Sequence, residues 1–246
     1  MNRINTIAAA ALALLGLAQG AQAHQIWIEQ PAGQQTATLR FGEFGENLRE
    51  ASPGLLDKFG QPTAMLIAGP GERAGEVRKT ADGFALPFGA ARGDSIVAAD
   101  ERYPLYTWKK DGKETLNRYY PAARLITSFA AQAPKLALDL VPTGKAGEFR
   151  LYLLGQPKAG AKVELVTQSG WAKEAQTDAQ GLVQFDMPWK GTYVAEVSVN
   201  DAAPGERAGA GGMEKFDAVS YVTSLTYVKP DGVEPIPALP AAAPNK

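Results

Sequence analysis

Four side chains near the start of the sequence have residue types that bind transition metals. His24 is the only histidine among the 246 residues, and Glu29, Glu43 and Glu46 follow it. Imidazole nitrogens suit nickel and copper, and Cu(II) is the stronger binder of the two. Carboxylate oxygens could fill positions that a single imidazole leaves open. The sequence therefore predicts a candidate metal site made of His24, Glu29, Glu43 and Glu46.

The residues before His24 have the order of a secretory signal peptide. Arg3 precedes an apolar run over residues 7–18, and the small residues Ala21 and Ala23 flank Gln22 at the end. This order is typical of a segment that signal peptidase removes. The apolar run is too short for a comfortable transmembrane span, which needs roughly 20 residues. We expect residues 1–23 to be a cleaved signal peptide and the protein to be periplasmic. Secretion and an uncleaved N-terminal anchor helix are the alternatives.

Cleavage after Ala23 would make His24 the first residue. Its free α-amine and its imidazole Nδ1 could then chelate one metal ion, and both nitrogens belong to the same residue. The alternative is that His24 is a terminal residue with incidental metal affinity. Because the chain has only one histidine, a copper oxidase site built from two histidines is excluded.

The composition excludes several other classes of function. With 25 Lys and Arg against 26 Asp and Glu, the chain lacks the basic excess of nucleic-acid or anionic-membrane partners. It has no cysteine, which rules out disulfides and thiolate metal sites. No later segment is apolar enough to predict a membrane span in the mature chain. Motifs for a nucleophilic serine or a phosphate-binding loop are absent, so we expect a protein that is not an enzyme.

A second candidate surface is aromatic. Tyr106 and Trp108 lie in the stretch RYPLYTWKK, and exposed rings of this kind can stack on sugars. This pattern gives an alternative function, a carbohydrate-binding or scaffolding module of the cell envelope. Alternation also puts both rings on one face of a strand, where packing in a core is the simpler use.

Short alternating segments separated by glycine and proline run through the whole chain and predict an all-β fold. We expect two β-sandwich domains, over residues 24–140 and 141–229, and a disordered Pro/Ala-rich tail over 230–246. In the second domain, residues 162–167 predict a strand, and Asp178 and Gly181 predict a tight turn. The Gly/Ala-rich residues 201–212 predict an irregular loop.

Two resemblances carry more information than the composition. The stretches GQPKAGAKVEL, TDAQGLVQF and KGTYVAEV resemble the carboxypeptidase-regulatory, transthyretin-like group of immunoglobulin-type sandwiches. The opening AHQIWIEQP, then LRFGEFGENLRE, NRYYPAARLITSF and the closing YVTSLTYV resemble the DUF4198 family. That family is grouped with periplasmic components of nickel and cobalt uptake systems.

The DUF4198 resemblance implies a binding protein for nickel, cobalt or copper, with membrane components of a metal-uptake system as partners. This chain departs from several relatives in one respect. They carry a Gly-His pair near the position of Gly42 and Glu43, and here no second histidine exists.

Overall fold

The computed structural model describes residues 24–69, 71–110, 112–209 and 211–245. The predicted signal peptide lies outside these residues. The described chain consists of β-strands with one short 3-10 turn over Leu55–Lys58, which confirms the predicted all-β class. Among the described residues, no helix has the length and apolar character needed to cross a membrane.

The strands are numbered here in chain order. The first ten are β1 (Gln25–Glu29), β2 (Thr38–Glu43), β3 (Leu48–Arg49), β4 (Thr63–Ala68), β5 (Gly71–Gly75), β6 (Arg78–Lys79), β7 (Phe84–Ala85), β8 (Ser95–Ala99), β9 (Tyr106–Lys110) and β10 (Lys113–Ile126). The others are β11 (Leu138–Pro142), β12 (Glu148–Leu153), β13 (Gln156–Pro157), β14 (Lys162–Thr167), β15 (Ala172–Gln176), β16 (Leu182–Gln184), β17 (Gly191–Asp201), β18 (Gly205–Gly209), β19 (Gly212–Phe216) and β20 (Ala218–Lys229).

A nine-stranded central sheet contains strands from both halves of the chain. Its order is β15-β14-β17-β20-β10-β8-β4-β5. The ninth strand, β9, pairs with the first residues of β10, from Lys113 to Asn117. Strands β10 and β20 run parallel, from the pair Asn117 and Ala218 to the pair Ile126 and Tyr227. The two domains predicted from the sequence therefore share one sheet, and β10 and β20 form the junction.

Two smaller sheets cover opposite faces of the central sheet. Alternation along β10 sends Ala122 and Ile126 into a core with the sheet of β11, β12, β13 and β16. It sends Ala123 and Leu125 into a second core with the sheet of β1, β2, β3, β6 and β7. Since successive side chains of a strand point to opposite faces, one strand contributes to both cores.

In the second half of the chain, the predicted strand and the predicted tight turn are both confirmed. The strand predicted over residues 162–167 is β14. Asp178 Oδ1 accepts the backbone N–H of Gln180 at 2.8 Å, and Gly181 has φ of 75°. The irregular loop predicted over residues 201–212 is not observed, because β18 and β19 form a hairpin in this part of the chain. Arg207 holds that hairpin by donating to the carbonyl of Tyr103 at 2.7 Å.

A fully buried ion pair connects the central sheet to one covering sheet. Arg124 on β10 and Asp139 on β11 both have unexposed side chains. Their contact is bidentate, with Nε to Oδ1 at 2.9 Å and Nη2 to Oδ2 at 2.6 Å. Gln132 accepts from Arg124 Nη1 at 2.6 Å, and the Lys135 backbone donates to Asp139 at 2.7 Å. These bonds satisfy both charges in a region without solvent.

We expect Asp139→Asn to destabilise the protein by about 3–5 kcal/mol, because it leaves the Arg124 charge buried without its partner. The matched control is Glu114→Gln, which breaks an ion pair with Lys109 whose side chains are more than 60% exposed. That change should cost less than about 1 kcal/mol. Urea unfolding measures both free energies, and equal losses would contradict the assignment.

Candidate metal site

Strand register brings His24 to two glutamates. Gln25 pairs with Gly42 on β2, and Gly42 pairs with Arg49 on β3. His24 therefore lies beside Glu43, one position beyond the last pair. The Glu50 backbone N–H donates to the Phe41 carbonyl at 2.8 Å, which places Glu50 next to the same corner of the sheet.

Gly42 is required for this arrangement. Its φ is 142°, and a Cβ built on it would lie 2.3 Å from the Leu48 carbonyl oxygen. No side chain fits at that distance, so glycine lets β3 approach β2 closely. The close approach carries Glu50, two residues after Leu48, toward His24.

The imidazole of His24 contacts a carboxylate through each nitrogen. Nε2 lies 2.5 Å from Glu50 Oε1, and Nδ1 lies 3.3 Å from Glu43 Oε1. The ring also packs against Phe41, with centroids 5.2 Å apart. Tyr119 donates its hydroxyl to the His24 carbonyl at 2.7 Å. These contacts fix both the ring and the backbone of the residue.

Glu50 is the buried anchor of the cluster, with an exposed fraction of 0%. Asn245 donates to it twice, from its backbone N–H at 3.0 Å and from Nδ2 at 2.7 Å. Asn245 Nδ2 is also 3.2 Å from His24 Nε2. Since the Asn245 amide is a donor, we assign its bond to Glu50 and place the Nε2 proton between His24 and Glu50. Nδ1 is the ring nitrogen that faces Glu43.

Asn245 reaches the site because the predicted tail follows the surface of the protein. Residues 234–245 form no strand, yet the Leu239 N–H donates to the Gln168 carbonyl at 2.9 Å. Asn47 Nδ2 then donates to the Leu239 carbonyl at 2.6 Å, and the Ala242 N–H donates to the Asn47 carbonyl at 3.2 Å. The tail is thus anchored along the turn between β2 and β3.

Glu43 and Glu46 occupy different environments. Glu43 has a side chain that is 20% exposed. Burial raises the pKa of Glu43, the His24 charge opposes that rise, and the charges of Glu46 and Glu50 add to it. Glu46 lies exposed in the turn after β2, where it acts on Glu43 by charge.

Glu29 lies apart from this cluster, at the other end of β1. Its carboxylate accepts from Trp27 Nε1 at 3.0 Å, from Arg40 Nε at 2.9 Å and from Arg49 Nη2 at 2.6 Å. Burial raises the pKa of Glu29, but the bonds and charges of both arginines outweigh it and leave that pKa below its usual value. These donors occupy the oxygens that a metal would need.

Within the described ranges, no three His, Cys, Asp or Glu side chains form a group that could hold a metal ion. A metal at His24 would therefore need a ligand other than a side chain, and the α-amine that the predicted cleavage would free is such a ligand. Glu43 was predicted as a ligand beside His24, whereas Glu50, Tyr119 and Asn245 were not among the ligands predicted for this histidine. The acidic stretch GEFGENLRE, which contains both Glu43 and Glu50, is the signal in the sequence that points to Glu50.

Glu43 also lines a groove with a volume of about 1010 Å³. The rings of Tyr106 and Trp108 line it, and Trp108 is 54% exposed. Glu196 lies in the groove as well, directly across from Glu164 on the neighbouring strand. Burial, together with the Glu164 and Glu43 charges, raises the pKa of Glu196 to about 7.

This raised pKa makes stability depend on pH. Between the ordinary value of 4.5 and about 7, the folded protein holds a proton on Glu196 that the unfolded chain releases, so stability falls as the pH rises. We expect Glu196→Gln to be more stable than the wild type at pH 8 by about 1–3 kcal/mol, and equally stable at pH 4. Urea unfolding across this range measures the difference. The exposed Glu174→Gln is the control, and a pH-independent gain in Glu196→Gln would contradict the assignment.

The fold and this site define an all-β protein with a single histidine held between two carboxylates. The family model described as "Domain of unknown function (DUF4198)" matches residues 21–201. The chain belongs to this family, as the sequence motifs suggested. The match begins just before His24 and ends with the last residue of β17. No curated protein and no solved structure matches the chain.

Proposed function

We propose that this protein is an exported, non-enzymatic protein that binds a divalent transition metal at His24. The observation that carries the proposal is the position of the one imidazole, with Nε2 on buried Glu50 and Nδ1 beside Glu43. A carboxylate that accepts the second ring N–H of a ligating histidine orients the ring and raises its basicity. Glu50 is placed to have this role.

The proposed ligands are the α-amine and Nδ1 of His24 and one oxygen of Glu43. Removal of residues 1–23 would supply the α-amine, and the Tyr119 bond to the His24 carbonyl holds the backbone in place. A proton on Nδ1 would compete with the metal, so affinity should fall with decreasing pH. Nitrogen and carboxylate donors suit nickel, cobalt and copper, with copper bound most tightly.

The biological setting is proposed on the resemblance. The DUF4198 group's association with nickel and cobalt uptake supports delivery to membrane uptake components, and the signal-like order of residues 1–23 supports a periplasmic location, with secretion as the alternative. The likeness of the second half to transthyretin-like modules is part of the same proposal and concerns fold alone.

The test is calorimetric titration of Cu(II) and Ni(II) into chain that begins at His24. His24→Ala and a chain that retains Ala23 should both lose high-affinity binding, because each removes one of the two nitrogens of the chelate. Glu43→Gln should weaken binding several-fold. The matched control is Glu46→Gln, which alters an exposed carboxylate in the adjacent turn and should bind as the wild type does.

One result would count against the proposal. Equal affinity in the native, His24→Ala and Ala23-extended chains would show that binding lies elsewhere. Circular dichroism of each variant separates loss of a ligand from loss of the fold.

The alternative, a carbohydrate-binding or scaffolding module, has one observation in its favour. Trp108 is 54% exposed, so it is available for stacking and is not part of a core. Glycan binding that disappears in Trp108→Ala would support this alternative. We place it second because it rests on a single exposed ring, whereas the His24 site has two carboxylate contacts and a fixed backbone.

A further inference from the structure

Residues 239–245 cross the surface of the protein and end at the candidate metal site. Within this segment, Ala242 forms a parallel bridge with Leu48 of β3. Three residues later, Asn245 donates two hydrogen bonds to Glu50. The segment therefore runs beside β3 and reaches the buried carboxylate of the site. We call residues 239–245 the strap.

One residue of the turn after β2 holds the strap in place. Asn47 has φ of 51°, a left-handed conformation that asparagine adopts more readily than most residues. Its Nδ2 donates to the Leu239 carbonyl at 2.6 Å, and its own carbonyl accepts the Ala242 N–H at 3.2 Å. Its Oδ1 accepts from Arg49 Nη1 at 2.6 Å. This last bond fixes the amide, so that Nδ2 faces the strap.

The strap supplies two of the hydrogen bonds that Glu50 accepts. Asn245 Nδ2 donates to Glu50 Oε1 at 2.7 Å, and the Asn245 backbone N–H donates to Oε2 at 3.0 Å. His24 Nε2 contacts Oε1 as well, at 2.5 Å. A fully buried carboxylate is stable only when hydrogen bonds replace the water that it has lost. Glu50 therefore depends on Asn245 to keep its orientation.

The same bonds commit one nitrogen of His24. The 2.5 Å contact between Nε2 and Glu50 Oε1 requires a proton between the two atoms, since two lone pairs would repel each other at that distance. Asn245 Nδ2 lies on this side of the ring, 3.2 Å from Nε2. Nδ1 is left as the nitrogen that faces Glu43.

We infer that the strap positions His24 for its metal ion, and that Asn245 is the positioning residue. Asn245 holds the Glu50 carboxylate against Nε2, so Nδ1 is the nitrogen that turns toward an ion. A carboxylate bonded to the second nitrogen of a ligating histidine orients the ring, and losing it typically weakens metal binding 10–100-fold. This inference rests on the proposed function and adds to the site a residue 195 positions from Glu50.

The first test is made without metal, by NMR of chain that begins at His24 and carries nitrogen-15 in its single histidine. The Nε2–H proton should give a resolved signal, because a proton bonded to a buried carboxylate exchanges slowly with water. Asn245→Asp keeps the shape of the side chain but replaces the Nδ2 donor with a second carboxylate beside Glu50. This variant should exchange the proton about tenfold faster or more.

A second variant loosens the strap at a distance from the imidazole. Asn47→Asp removes the donor to the Leu239 carbonyl and leaves Glu50 unchanged, and it should accelerate the exchange in the same direction. The matched control is Glu234→Gln, which breaks an exposed ion pair with Lys190 before the strap begins. The control should exchange the proton as slowly as the wild type does.

Calorimetric titration of Cu(II) into the same four chains tests the consequence for the metal. Asn245→Asp and Asn47→Asp should each bind Cu(II) about tenfold more weakly than the wild type. Glu234→Gln should bind it equally well. Circular dichroism shows whether each variant is folded.

Three outcomes would overturn the inference. One is an Nε2–H exchange rate that is the same in the wild type and in both strap variants. Another is equally fast exchange in Glu234→Gln, which would indicate a general loosening of the tail. The third is equal Cu(II) affinity in all four chains although the exchange rates differ. If the exchange rates change as expected and none of the chains binds Cu(II), the hold of the strap on His24 is supported and the proposed metal function fails.

Discussion

The parallel pairing of β10 with β20 is the constraint on which the rest of the molecule depends. Parallel neighbours cannot be joined by a tight turn, so all the strands from β11 to β19 lie in the connection between them. Both faces of this pair are covered, and the core on each side is built around it. The buried bond between Arg124 and Asp139 fixes β10 against one of the covering sheets.

The same pairing sets the position of the candidate metal site. Tyr119 on β10 holds the His24 backbone, and Ser224 on β20 donates to the Ile26 carbonyl at 2.7 Å. The first strand is thus fastened to the central sheet at a defined place. Glu43, at the end of the next strand, contacts the imidazole and also lines the groove.

The features that were predicted from the sequence are those that depend on local patterns of residues. Alternation and turn residues predicted the all-β class, the strand β14 and the turn at Asp178, because each depends on neighbours in the chain. The pairing of β10 with β20 joins residues about a hundred positions apart, and no local pattern encodes it. The β18–β19 hairpin was missed for a similar reason, since Arg207 orders it through distant carbonyls.

In the candidate metal site, too, the contacts that follow from local spacing were predicted and those between distant residues were not. His24 and Glu43 were expected together, and β-strand register places them so. Glu29 and His24 are separated by an odd number of positions along one strand, so their side chains point to opposite faces of the sheet. That rule was available from the sequence and argues against Glu29 as a shared ligand. Asn245 could not have been found, because it lies 195 residues from Glu50 in the sequence and no local pattern encodes their contact.

The contact between Asn245 and Glu50 has a practical consequence for handling the protein. A polyhistidine purification tag fused after the last residue would start beside the one native imidazole. It would place several foreign imidazoles next to Glu50 and Glu43, where they could capture the ion that His24 is proposed to bind. Removing the tag, or placing it on a leader that is cleaved before His24, avoids an artificial metal site.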